Sequence, residues 1–298
     1  MSSGISIYFK IFFLTTLMAW LPSCLSPIEY FPKLPPGKWR GILYLDQNDQ
    51  LKVVGKKDIE LKREVSGQLP FVFEVKYDEK ENMAVEIING TERIAADNVI
   101  FGRDFATAKD TVLIEFSVYD CYIKAIFEEK VMEGYFHVNY RDSYAIPFKA
   151  KFGFDQAFNT DGLVTSHDIS GKWNVIFSEN TENQYPAIAE FEQNGNTMTG
   201  TFLTETGDYR HLYGFISGNK FTLATFDVAH AFLFEAKILE DGSITGIFRS
   251  GKHYITDWSA TRSEKNPLKS PLQLTKINPT KEHLQLSLPD TEGKTVSL

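Results

Sequence analysis

Apolar residues recur at every second position in short runs along most of this chain, and glycine-containing turns punctuate the runs. That period of two is the pattern of half-buried β-strands. The clearest stretch runs from Ser170 to Ser263. Val175 and Phe177, Ile188 and Phe191, Phe202, Phe215, Phe221 to Phe226, Phe232 to Ile238, and Phe248 mark successive strands in it. Asn194-Gly195-Asn196, Ser217-Gly218-Asn219 and Asp241-Gly242-Ser243 lie between strands and supply residues that accept positive φ, so each predicts a hairpin turn. No segment here carries a helical stripe, and the pattern predicts an antiparallel meander.

A longer version of the same pattern lies upstream. Pro36-Gly37-Lys38-Trp39 matches Ser170-Gly171-Lys172-Trp173, and Leu69-Pro70-Phe71-Val72-Phe73-Glu74 matches Tyr185-Pro186-Ala187-Ile188-Ala189-Glu190. Further on, Leu113 to Phe116 answers Leu223 to Phe226, and Glu133-Gly134-Tyr135-Phe136 answers Thr245-Gly246-Ile247-Phe248. The order is kept while the spacings drift, as expected of a duplicated β unit whose loops have diverged. The expectation is an all-β chain with two tandem antiparallel β-barrel or meander domains, over residues 36–153 and 168–263. The Gly-x-Trp opening of each resembles lipocalin-like and avidin-like barrels, in which a tryptophan near the first strand plugs one end.

Composition agrees with that scale. The chain has 298 residues, 43% hydrophobic and 23% charged, room for about two domains. Its 24 phenylalanines and 13 tyrosines suffice for two aromatic-rich cores. A formal net charge of −8, with no basic run, argues against a nucleic-acid partner, because phosphate binding needs a basic face.

Residues 1–23 read as a targeting segment, with Lys10 closing a short n-region and Ile11 to Trp20 forming an apolar stretch too short for a comfortable span. Leu21-Pro22-Ser23-Cys24 follows and resembles the lipobox of bacterial lipoproteins. The resemblance implies acylation of Cys24, a membrane partner held through that N-terminal lipid, and a periplasm-facing place in the bacterial cell envelope. Residues 24–35 would then be a tether. Cys121 is the other cysteine, so no internal disulfide remains once Cys24 is acylated, and its strand-like surroundings predict a buried, inert thiol.

The six histidines are scattered, without a ligand-type pair at short spacing, and no metal or cofactor is expected. His230 and His253 lie in the densest aromatic runs of the second unit, near Asp227, Asp257 and Trp258. One reading places His230, His253, Asp257 and Trp258 in a ligand-binding pocket with the aspartates as polar anchors. The other makes them hydrogen-bonded histidines and a tryptophan closing one end of a barrel. Glu128-Glu129 and Asn89-Gly90-Thr91 read as hairpin ends, and no phosphate loop, serine elbow or metalloprotease helix is present.

After Arg262 the composition turns polar and proline-bearing, which predicts a linker over 264–283. Residues 284–298 include Leu286-Ser287-Leu288-Pro289-Asp290-Thr291-Glu292-Gly293-Lys294-Thr295-Val296-Ser297-Leu298. This resembles the entry hairpin of the peroxiredoxin and TlpA-like branch of thioredoxin-fold proteins. Upstream pieces, among them Leu34 to Gly41, Glu86 to Ile94, Ile146 to Ala150 and Gly207 to Arg210, resemble the N-terminal region of envelope TlpA-like lipoproteins. The resemblance implies the first hairpin of a thioredoxin-like fold and makes the chain the N-terminal accessory region of an envelope-anchored thiol–disulfide oxidoreductase, with protein disulfides as candidate substrates. The family's chemistry belongs to a Trp-Cys-x-x-Cys motif, which this chain lacks, so no catalytic residue carries over and the chain is expected to be redox-inert. The alternative is a lipid-anchored β-barrel protein that binds a small apolar ligand.

Overall fold

The computed structural model describes residues 34–46, 58–60, 65–263, 267–269, 273 and 286–297. The targeting segment, Cys24, the tether up to Lys33 and most of the 264–283 linker lie outside the described residues.

Alternation builds the first sheet. In β1 (Gly37–Tyr44), Trp39 and Leu43 enter the core. The other strands are β2 (Gln68–Tyr77), β3 (Met83–Asn89), β4 (Glu92–Ala95), β5 (Asn98–Asp104), β6 (Lys109–Phe116), β7 (Cys121–Glu128), β8 (Val131–Val138) and β9 (Ala145–Phe152). They form one nine-stranded sheet in the order β4-β3-β2-β1-β9-β8-β7-β6-β5. The chain crosses between its two edges within one step, since the Ala96 N–H donates to Val85 O and the Asp97 N–H to Glu115 O. With β4 and β5 left unpaired to each other, the sheet is a half-barrel.

The second sheet closes. Its strands are β10 (Gly171–Phe177), β11 (Tyr185–Asn194), β12 (Thr197–Thr204), β13 (Gly207–Asp208), β14 (Leu212–Ser217), β15 (Lys220–Phe226), β16 (Ala231–Ile238), β17 (Ile244–Ser250) and β18 (Tyr254–Arg262). They run β11-β10-β18-β17-β16-β15-β14-β12, and β11 pairs back onto β12 to complete an eight-stranded barrel, with short β13 appended to β12. Direct pairing of Thr197–Gly200 with Leu212–Phe215 supplies the join that the first sheet lacks. Closure removes exposed strand edges. Gly195 and Gly218 sit at φ +60° and +57° in the turns where the sequence places them.

The two sheets share registers. Pro70 faces Ile42 across β1 and β2, and Pro186 faces Ile176 across β10 and β11, three positions after Trp39 and Trp173 respectively. Each indole N–H donates to the carbonyl four residues earlier, Trp39 to Pro35 at 3.2 Å and Trp173 to Ile169 at 2.9 Å. A shared core joins the sheets. Ala224, Phe226, Val228, Ala231 and Leu233 of the β15–β16 hairpin belong to the half-barrel's core. Phe226 packs on Phe71 and Phe136 with ring centroids 4.5 and 5.2 Å apart. Burying one such ring contributes about 1.5–3 kcal/mol.

Ser287–Pro289 and Thr295–Ser297 pair as a small antiparallel hairpin, β19 and β20. All six strand residues are exposed, and the hairpin joins neither large sheet. A thioredoxin-like entry is therefore not shown. The Pro-Asp-x-x-Gly-Lys pattern is explained locally, because Asp290 Oδ1 accepts the Glu292 and Lys294 N–H groups at 2.9 and 2.8 Å while Gly293 takes φ +81°.

Candidate functional site

The barrel has one sealed end. Trp173, near the start of β10, carries the Arg262 guanidinium 4.5 Å over its ring, and Arg262 donates to the carbonyls of Ser170 and Asp168 at 2.6 and 2.9 Å. Above this floor the interior is solid with aromatic rings. Phe202 stacks on Phe234 at 4.2 Å and Phe234 on Phe248 at 4.4 Å. Trp258, 1% exposed, lies among Phe177, Phe202, Phe221 and Phe234.

The packing stops short of the other end. There the start of β11, the end of β12, the start of β16, the end of β17 and the start of β18 surround a hollow of about 530 Å³. This lies within the roughly 300–1,000 Å³ range of small-molecule sites. Phe232 and Phe248 form its apolar wall, and Tyr185, Tyr209 and Tyr254 bring phenols to it. Tyr209 is braced by Phe248 at 4.9 Å and Phe232 at 5.4 Å. The Tyr185 and Tyr209 hydroxyls are 2.7 Å apart. Burial, followed by the neighbouring hydroxyls of Tyr209 and Tyr254, pushes the Tyr185 phenol far above its ordinary value. Burial raises Tyr209 as well. Both phenols are therefore neutral at pH 7, able to donate or accept one hydrogen bond to a bound polar head. Ser250, His253 and the Thr204-Glu205-Thr206 turn complete the rim.

The half-barrel reaches this rim. Tyr144, just before β9, accepts the Lys252 N–H at 2.8 Å on its hydroxyl, which also lies 3.2 Å from His253 Nδ1. Gly251 permits the approach, since a Cβ there would meet the Tyr144 hydroxyl oxygen at 2.0 Å. Burial, with Arg141 nearby, holds His253 below the usual histidine value, so the ring is neutral at pH 7.

Of the residues singled out by sequence, only His253 lines the hollow. Trp258 is a core side chain deeper in the barrel, and its indole N–H has no partner among the described residues. Asp257 is exposed, and its carbonyl accepts the Ser178 N–H. His230 bonds through Nδ1 to both carboxylate oxygens of Asp227 at 3.1 Å. Asp227 is 2% exposed and also binds Arg210 Nε at 2.7 Å. Burial pushes its carboxyl up, but His230 and Arg210 outweigh that and leave it below the usual range. This cluster anchors the β15–β16 hairpin rather than facing the hollow. Cys121 is buried, and burial reinforced by Asp120 pushes its thiol up to about 12, too high for a thiolate nucleophile. Among the described residues no three metal-donor side chains come together. The tyrosines escaped the sequence reading because Tyr185 and Tyr254 sit on different strands and Tyr209 in the loop after β13, with no local motif.

No protein-family model matches the chain, and no curated protein matches it. Among solved structures it is similar to a protein of unknown function from the DUF3598 family of Nostoc punctiforme PCC 73102. Identity is 8% and the TM-score 0.24, with 76% of this chain and 94% of that one covered. The TlpA-like reading is corrected: no thioredoxin-fold family model or curated protein matches the chain, and the terminal hairpin joins neither large sheet. Within the motif that suggested it, residues 286–297 show the turn chemistry of an exposed hairpin.

Proposed function

We propose that this is a binding protein whose closed barrel takes a small apolar or amphipathic molecule through its mouth. The observation that carries the reading is the aromatic hollow with neutral phenols converging on it, above a core otherwise packed solid. Phe232 and Phe248 would cover the apolar body, and the hydroxyls of Tyr185, Tyr209 and Ser250 would face a neutral polar head. The charged side chain on this rim among the described residues is Glu205, which Lys269 already reaches at 3.6 Å, so an anionic head would be repelled and a neutral one fits best. Acylation at Cys24, outside the described residues, would hold the barrel at the surface of a bacterial envelope membrane.

Titration with the neutral dye N-phenylnaphthylamine tests this reading. Saturable enhancement of dye emission, reversed by a medium-chain alcohol, is the expected result. Ser250→Phe, which fills the hollow from the end of β17, should abolish the enhancement while leaving the far-ultraviolet circular dichroism intact. Emission that rises linearly without saturation, or equal binding by a folded Ser250→Phe, would refute the proposal.

A further inference from the structure

A second cavity, of about 270 Å³, lies between the two sheets, away from the barrel mouth. Its wall includes Arg40, Ile42 and Gln68 from the half-barrel side, Phe158 from the connecting segment, and Phe215 and Lys220 from the closed barrel. Arg40 is the unusual member. It lies on the outward face of β1, opposite Trp39, yet is only 4% exposed, because the second sheet covers that face. Among the described residues its Nε has no hydrogen-bond partner and no carboxylate pairs with it. Burial alone pulls the guanidinium below its ordinary value.

A buried cation without a counter-charge is costly, and native proteins pair such groups or give them an anion. Among the described residues the one carboxylate on the cavity wall, Glu235, is already committed. Glu235 is ion-paired to Arg249 and accepts from Ser66 Oγ and the Gly67 N–H, both at 3.2 Å. Arg249 in turn reaches Asp46 at 3.2 Å. What remains is a positive, partly apolar chamber with the Gln68 side chain at its side.

We propose that the cavity between the two sheets is a second binding site, which takes a small organic carboxylate across the Arg40 guanidinium. A planar fork of N–H donors suits a carboxylate's two oxygens. Phe158, Phe215 and Ile42 would cover the apolar part of the guest. The volume admits a compact body such as a single ring or short chain, below the size that the barrel mouth can hold.

Benzoate is the probe, with benzyl alcohol as its uncharged counterpart, titrated calorimetrically into the full chain. Saturable benzoate binding that benzyl alcohol does not reproduce is expected. Arg40→Met should weaken it by about tenfold or more, the size of a lost charge-assisted hydrogen bond, while dye binding at the barrel mouth stays unchanged. Val65→Trp, at the exposed rim of the cavity, should also weaken benzoate binding, and decides the matter if Arg40→Met fails to fold. The proposal is overturned if benzoate does not saturate the wild-type protein, or if either folded variant binds it as well as wild type. It is also overturned if benzoate displaces the dye and is lost in Ser250→Phe, which would place the anion in the barrel mouth.

Discussion

Val118 and Val228 each stand two residues after a phenylalanine that ends a strand, at the tip of the hairpin between matching strands of the two sheets. Val118 is 84% exposed and Val228 is 3% exposed. The first tip turns through a short 3-10 segment, Ser117–Tyr119, into solvent. The second holds its valine at φ +60°, a conformation a β-branched residue rarely adopts, beneath Cys121 of the half-barrel. One hairpin ends in solvent and the other plugs its neighbour. The difference between the regions is therefore one of completeness. The closed barrel fills its own interior, and the half-barrel borrows side chains from the barrel's outer face to finish its core.

The sharpest way to break this comparison is to remove one aromatic ring from each core. Phe234→Ala empties the centre of the closed barrel and should cost about 3–5 kcal/mol, seen as a large fall in the denaturant midpoint. It should also abolish dye binding, because Phe234 supports Phe248 beneath the hollow. Phe226→Ala should cost about 3 kcal/mol, but its mark should be regional. Amide exchange should quicken around Phe71 and Phe136 in the half-barrel while the barrel's β10–β18 ladder stays protected. Equal loss of protection in both regions would show that neither core is self-sufficient.

A smaller effect tests the contact at the rim. Tyr144→Phe removes the hydroxyl that accepts the Lys252 N–H and meets His253, and should cost about 1 kcal/mol of stability. Dye affinity should fall alongside it, because the β17–β18 turn loses its brace. Unchanged affinity would confine the half-barrel to a structural role.

The smallest expected effect is in pH. Burial lowers His137, with Lys124 contributing, and lowers His253, with Arg141 contributing. As pH falls through about 6.5 the unfolded chain takes up these protons first, so stability declines as the pH drops below neutrality. Asp227 adds nothing in that window, since its depressed value keeps its contribution until pH falls through the acidic range. His253→Asn should flatten the slope of melting temperature against pH, and an unaltered slope would place the proton uptake elsewhere.

The parts legible in the sequence are those with local causes. Alternation marked the strands, Gly195 and Gly218 marked their turns, and the two Gly-x-Trp openings marked equivalent first strands. Closure was not legible, because it depends on whether β12 meets β14 past the short β13 rather than on either segment. The same holds for Val118 and Val228, which only their neighbours distinguish. Trp258 and His253 read alike as aromatic and polar neighbours in one run, yet one enters the core and the other the rim. Sequence proximity also drew His230 and Asp257 into a pocket that neither lines. Arg40, which shares β1 with another cation, Lys38, gave no signal of lying beneath a second sheet.

The most direct test is nitrogen–proton correlation NMR of the labelled chain during titration with decanol, a neutral amphiphile. The account predicts saturable shifts at Tyr185, Tyr209, Ser250 and Tyr254, with Trp173 and Arg262 at the sealed floor and the half-barrel strands unmoved. Shifts centred on the half-barrel, or none that saturate, would contradict it.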